Sequence, residues 1–228
     1  MTLRMTTAGA RRVACLAGAS GLVGRELAQQ LANHSSYSQV HSLVRRPAAS
    51  ATASKLVEHV VDFDALPELP GVDDVYIALG TTIKDAGSEQ AFRRVDFDYV
   101  VNVARAALAA GARRLGVVSA LGADAASRVF YNRVKGEMQD AVLALGYESV
   151  VIAQPSLLLG DREALGQAVR GGERWARRLL GPVSGLIPSQ FRPVLARDVA
   201  AALIARVLVT ERGNVILPSR EMLGAASD

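Results

Sequence analysis

The residues best suited to chemistry are Tyr131 and Lys135, in the segment Tyr131-Asn132-Arg133-Val134-Lys135. A phenol and an ammonium four residues apart lie on one face of a helix. A neighbouring ammonium favours phenolate over phenol and lowers the tyrosine from its ordinary value near 10. Such a tyrosine can pass a proton to or from a substrate oxygen while a nicotinamide carbon exchanges hydride. Ser119, upstream at the end of an apolar run, can hold that oxygen by a hydrogen bond, and Lys135 can also anchor the nicotinamide ribose. The same spacing occurs in ordinary exposed helical pairs, so it becomes specific only beside a cofactor site.

The stretch GASGLVG, residues 18–24, supplies the pattern of such a site. Gly18 allows a tight turn, Gly21 lets backbone approach a pyrophosphate, and Gly24 lets the following helix lie close to the preceding strand. The phosphates then meet unpaired N–H groups at the positive end of the helix. The spacing is G-x-x-G-x-x-G, not G-x-G-x-x-G. At the end of the second predicted strand stand Arg45 and Arg46, where an acid would accept hydrogen bonds from the ribose 2′-hydroxyl of NAD. Arginines there pair with the 2′-phosphate of NADP and favour NADP(H); the alternative is a pair of solvated loop arginines. At the ends of the third and fourth strands, Asp62 and Phe63 can face the adenine, and Leu79, Gly80 and Thr81 the middle of the cofactor. A loop or capping role for Asp62 stays open.

The elements that must position these residues follow from periodicity. Strands are expected at residues 12–18, 40–44, 56–61, 73–79, 114–119 and 149–153. Helices are expected at 23–32, 89–110 and 129–145, the last two stopped by Gly111 and Gly146. Strand and helix alternate to residue 156, which implies right-handed parallel crossovers and an α/β fold: a Rossmann-type doubly wound parallel sheet with helices on both faces. Beyond residue 160 the pattern changes. A basic stretch at 173–180 carries Trp175, a short extended piece lies at 193–195, a helix at 198–208 and a last strand at 215–217. A single domain over residues 11–228 is expected, with 157–228 contributing a small substrate-side lobe and 1–10 a flexible leader.

Composition sets bounds on this reading. The 228 residues are 50% hydrophobic and 5% aromatic, which suits helices on a parallel sheet better than an aromatic-rich sandwich. A net charge of +4 and a pI near 9.6 permit an anionic ligand, but no long basic run with interleaved aromatics points to nucleic acid. One cysteine, Cys15, excludes an internal disulfide framework. His34, His41 and His59 show no metal-ligand spacing, so no metal is expected. No uninterrupted apolar segment is long enough to span a membrane, and Arg11-Arg12 precedes no convincing cleavage pattern. A cytoplasmic protein is expected.

GASGLVG, Ser119 and YNRVK together resemble the short-chain dehydrogenase/reductase superfamily. The longer segments IALGTTIKDAGSEQAFRRVDFDYV, LGADAASRVFYNRVKGE and QPSLLLGDRE resemble its atypical branch, related to the Tat-interacting, NADPH-binding oxidoreductase family and to bacterial NAD(P)-binding epimerase/dehydratase-like proteins. The likeness runs from about residue 11 to 162, with a looser echo in PVLARDVAAAL. It implies a Rossmann fold, NADP binding through Gly18, Ser20, Gly21, Leu22, Val23 and Arg45, and the triad Ser119, Tyr131 and Lys135. Leu79-Gly80-Thr81-Thr82 replaces the superfamily's usual Asn-Asn-Ala-Gly, and Ala120 follows Ser119 where relatives often carry a second serine.

The leading expectation is an NADP-dependent oxidoreductase acting on a small carbonyl or alcohol substrate. A second is an NADP(H)-dependent redox sensor that binds a protein partner, and a weaker third is a nucleotide-sugar epimerase or dehydratase. The apolar helices at 97–110 and 129–145 could also pair with their copies in a homodimer.

Overall fold

The computed structural model describes residues 11–47, 54–159, 188 and 191–226. The main sheet has seven strands: β1 (Arg12–Ala17), β2 (Tyr37–Val44), β3 (Leu56–Val60), β4 (Asp74–Ile77), β5 (Arg114–Val118), β6 (Ser149–Gln154) and β9 (Gly213–Pro218). Their order is β3-β2-β1-β4-β5-β6-β9, and every neighbouring pair is parallel. A second, two-stranded sheet pairs β7 (Leu158–Leu159) with β8 (Val194–Leu195).

The apolar strands are explained by burial on both faces. In β1, Ala14 and Leu16 join one core with Leu27 and Leu31 of α1 (Leu22–Asn33) and Leu203 and Val207 of a late helix, Ala196–Val209. Cys15 and Ala17 join the opposite core, with Val100 and Val103 on one helix and Met138 and Val142 on another. Burial pushes the Cys15 thiol up to about 12, so it packs as a small apolar group. The strand order reverses between β1 and β4, which opens a crevice beyond their carboxyl ends.

Three elements differ from the sequence expectation. The helix expected over 89–110 is three pieces: α3 (Glu89–Arg93), a π-helical turn (Arg94–Asp98) and α4 (Tyr99–Ala109); a short α2 (Ile83–Ala86) precedes them. Ser88 caps α3 through the Ala91 N–H, and the extra residue of the π turn rotates Asp96 inward, where it is buried. β9 is longer than the apolar triplet 215–217, because pairing with β6 runs from Gly213 to Pro218. Among the described residues of the region expected to form a lobe, β9 and the helix Ala196–Val209 are built into the main sheet and its core, while β7 and β8 pair apart from it. The leader at 1–10 and the basic stretch around Trp175 lie outside the described residues.

Candidate functional site

The glycine turn is shaped by the chain itself at two of its three glycines. A Cβ on Gly18, whose φ is +97°, would lie 2.6 Å from the Ala78 carbonyl carbon beyond β4. A Cβ on Gly24 would lie 1.8 Å from the Gly18 oxygen. Either contact is prohibitive, so the turn joins β1, the crevice and α1 only with glycine at these positions. Gly21 differs: it is extended, and its Cβ would meet nothing closer than 3.4 Å. Gly21 precedes α1, which has neither a side-chain cap nor an acidic residue in its first turn. The leading N–H groups of this 12-residue helix therefore have no partner within it. Ser20, Leu22 and Val23 complete the turn.

Arg45 and Arg46 follow β2, are exposed, and make no ion pair among the described residues. Asp62 is exposed, and its Oδ1 accepts from the Asp64 N–H in a local turn. Phe63 is only 3% exposed and its ring stacks on Tyr99 with centroids 5.5 Å apart. Its carbonyl accepts from Asn102 Nδ2 at 3.0 Å, and its ring presents no open aromatic face.

The other residues meet at the ends of β4 and β5. The helix α5 (Phe130–Leu143) carries Tyr131, Lys135 and Gln139 at four-residue intervals, hence on one face. Gln139 Nε2 lies 2.6 Å from Ser119 Oγ, just beyond β5, and Gln154 Nε2 lies 3.1 Å from Gln139 Oε1. Ser119 and Lys135 are both buried. Tyr131 is half-buried, with its ring 5.3 Å from that of Phe92, and its hydroxyl enters no hydrogen bond among the described residues. A Cβ on Gly136 would clash with the backbone of Asp124 and Ala125, so glycine lets the loop after β5 lie against α5 beside Lys135.

Asp96 completes this constellation. Its Oδ1 lies 2.8 Å from Lys135 Nζ, and its Oδ2 accepts from the Thr81 N–H at 2.8 Å. Oδ1 is buried and has no aligned hydrogen-bond partner, so the Lys135 contact is an ion pair with acceptor capacity to spare. Gly80 sits over this pair: its Cβ would be 3.3 Å from Asp96 Oδ1 and 3.8 Å from Lys135 Nζ. Sequence reasoning passed over Asp96, Gln139 and Gln154. A signal for Asp96 was present, since Phe92, Asp96 and Val100 share one helical spacing and an acid on an apolar face requires a partner.

A parallel sheet in this order, with a glycine turn and uncapped helix at its switch point, defines a Rossmann-type NAD(P)-binding domain. The chain belongs to the NAD(P)H-binding family, whose model matches residues 18–157. It is 35% identical to Protein FMP52, mitochondrial, of Eremothecium gossypii, over 92% of this chain and 95% of that protein. It is also 35% identical to Protein HTATIP2 of Rattus norvegicus, over 72% of this chain and 68% of that one. These relatives are of the atypical short-chain dehydrogenase/reductase kind. Among solved structures, MoeE5 in complex with UDP-glucose and NAD superposes with a TM-score of 0.68 at 18% identity, covering 94% of this chain and 81% of that one. The ADP-L-glycero-D-manno-heptose-6-epimerase of Helicobacter pylori gives 0.66 at 14% identity, covering 93% and 80%. At such identities the likeness is one of fold.

The expected cytoplasmic location is corrected by these relatives, because the fungal FMP52 proteins are mitochondrial by name. A single cysteine is as compatible with a mitochondrial protein as with a cytoplasmic one. Among the described residues, no helix is long and apolar enough to cross a membrane, and no group of three or more His, Cys, Asp or Glu could hold a metal ion.

Proposed function

We propose that the protein is an NADP-dependent oxidoreductase acting on a carbonyl or alcohol, with Tyr131 as its acid/base. The observation that carries this reading is the convergence of Tyr131, Lys135 and Gln139 on one face of α5, with Gln139 bonded to Ser119 and Lys135 beside Gly80. The residues fit the cofactor. Gly21, which the chain's own packing does not require to be glycine, leaves space at an uncapped helix terminus for a pyrophosphate. Gly18, Ser20, Leu22 and Val23 line the turn, and Arg45 and Arg46 are exposed cations without an ion pair among the described residues, suited to a 2′-phosphate. The backbone at Asp62, Phe63, Leu79, Gly80 and Thr81 lies along the ends of β3 and β4, the side from which an adenine and a ribose would be held.

The bound dinucleotide supplies or accepts a hydride. The side chains manage the substrate oxygen. Ser119 holds it by a hydrogen bond, and Tyr131, whose hydroxyl is otherwise uncommitted, delivers or removes its proton. Lys135 holds the ribose. The test begins with titration of the purified protein with NADPH and NADH at fixed ionic strength, which must be held constant because phosphate contacts are screened by salt. Tighter NADPH binding, weakened on replacing Arg45 and Arg46, supports the cofactor reading and directs a carbonyl-substrate screen. Binding of neither dinucleotide discards it.

A further inference from the structure

Asp96 and Lys135 form a buried pair in which neither charge has another charged partner among the described residues. Buried ion pairs contribute little net stability, since desolvation offsets most of the attraction, and two packed apolar side chains would hold α5 against the π turn equally well. The position of the pair is more informative. It lies under Gly80, at the end of β4, and a Cβ at residue 80 would press on it from the crevice side. Asp96 also grips the Thr81 N–H, fixing the backbone on that side of the crevice, while its Oδ1 keeps an unfilled acceptor site.

We propose that Asp96 is a positioning and charge-balancing residue for the cofactor's nicotinamide end: its carboxylate holds the Lys135 ammonium under Gly80 and cancels its charge, so that the site accepts the oxidised, cationic nicotinamide as readily as the reduced, neutral one. This rests on the cofactor reading above. An unbalanced ammonium in a buried site repels a cationic ring and leaves a neutral ring nearly unaffected. An unbalanced carboxylate does the reverse. Removing the two partners therefore shifts the preference between NADP and NADPH in opposite directions, which loss of a merely structural contact does not do.

The experiment is titration of full-length wild type, Asp96→Asn, Lys135→Met and the double variant with NADP and with NADPH at one ionic strength. Asparagine still accepts from the Thr81 N–H, so the first variant removes the charge and spares that contact. The ratio of Kd for NADP to Kd for NADPH is expected to rise about tenfold in Asp96→Asn, to fall by about the same factor in Lys135→Met, and to return to near the wild-type ratio in the double variant. Loss of a ribose contact in Lys135→Met weakens both dinucleotides and cancels in the ratio. Equal weakening of both by Asp96→Asn, or no change in the ratio, overturns the proposal. Should Asp96→Asn fail to fold, Lys135→Met and the charge-balanced double variant carry the same comparison. Failure of the wild type to bind either dinucleotide overturns the cofactor reading itself and this proposal with it, a result distinct from a wild type that binds and variants that shift in parallel.

Discussion

Two buried aspartates stand at opposite ends of the same parallel sheet, and their surroundings differ. Asp74, at the amino end of β4, is fully buried: Oδ2 accepts from the Tyr37 hydroxyl at 2.7 Å, and Oδ1 takes the Arg114 Nε at 2.6 Å, with Arg12 3.5 Å away. Both carboxylate oxygens are used. Asp96, near the carboxyl end of β4, has one oxygen committed to backbone and the other facing Lys135 without an aligned hydrogen bond. The tyrosines repeat the contrast. Tyr37 is inaccessible and bonded to both Asp74 and Tyr76, and burial raises its phenol far above the ordinary range, so it remains a donor at all accessible pH. Tyr131 is half-exposed with its hydroxyl free among the described residues. At the amino end both oxygens of Asp74 and the Tyr37 hydroxyl are committed within the fold, although Arg12 Nη1 and Ser149 Oγ are buried there without an aligned hydrogen-bond partner; at the carboxyl end it is a carboxylate oxygen, Asp96 Oδ1, that keeps capacity for something else to satisfy.

The largest effect should come from the closed end. Asp74→Asn leaves the Arg114 guanidinium facing a neutral amide in a buried site, and breaking such a pair is expected to cost about 3–5 kcal/mol of stability. Chemical denaturation measures this, and NADPH affinity of the folded fraction should be unchanged. A variant as stable as the wild type, or one that folds but no longer binds NADPH, would break the division between the two ends.

At the open end the effects should fall on chemistry instead. Tyr131→Phe is expected to lower turnover about a hundredfold or more, with the melting temperature and NADPH affinity close to wild type, because the hydroxyl makes no hydrogen bond among the described residues. Retained turnover on any substrate found by screening removes Tyr131 from the role of acid/base. Gly21→Ala sharpens the same division at the glycine turn. Its backbone suits alanine and its Cβ meets nothing nearer than 3.4 Å, so the fold should survive at a cost of about 1 kcal/mol or less for a weaker helix cap. NADPH affinity should nonetheless fall about tenfold or more, since the new methyl occupies the approach of the phosphates. Undiminished affinity would place the dinucleotide elsewhere.

What was legible in the sequence follows this line between local and long-range causes. GASGLVG announces itself because the three glycines serve one turn, and Tyr131 with Lys135 because four residues make a helical face. The alternation of strand and helix gives most of the sheet, since parallel crossovers usually run through a helix, although residues 61–73 join β3 to β4 without one. Asp96 is illegible as a partner of Lys135, because their meeting depends on a chain separation of 39 residues and on one extra residue wound into a π turn. Gln154, Gln139 and Ser119 join across β6, α5 and β5, and no local spacing encodes that. Phe63 illustrates the opposite error. Its place after the third strand suggests a ring that could face an adenine, but Tyr99 lies thirty-six residues on and covers that ring.

The smallest effect tests whether the closed end is held by its charges or by its hydrogen bonds. Tyr37→Phe keeps the aromatic packing, including the edge-on contact with Tyr76 at 6.2 Å, and removes only the hydroxyl shared between Asp74 and Tyr76. Asp74 keeps Arg114 at 2.6 Å, so its charge stays balanced and only one neutral donor is lost. The expected cost is about 1–2 kcal/mol, read as a lower denaturation midpoint at unchanged slope. That is well below the cost of Asp74→Asn, because losing a donor leaves an oxygen underused while losing the carboxylate leaves a cation unpaired. A loss equal to that of Asp74→Asn would mean that the phenol, not the arginine, is what makes a buried Asp74 tolerable, and the contrast with Asp96 would then rest on hydrogen-bond supply alone and not on charge.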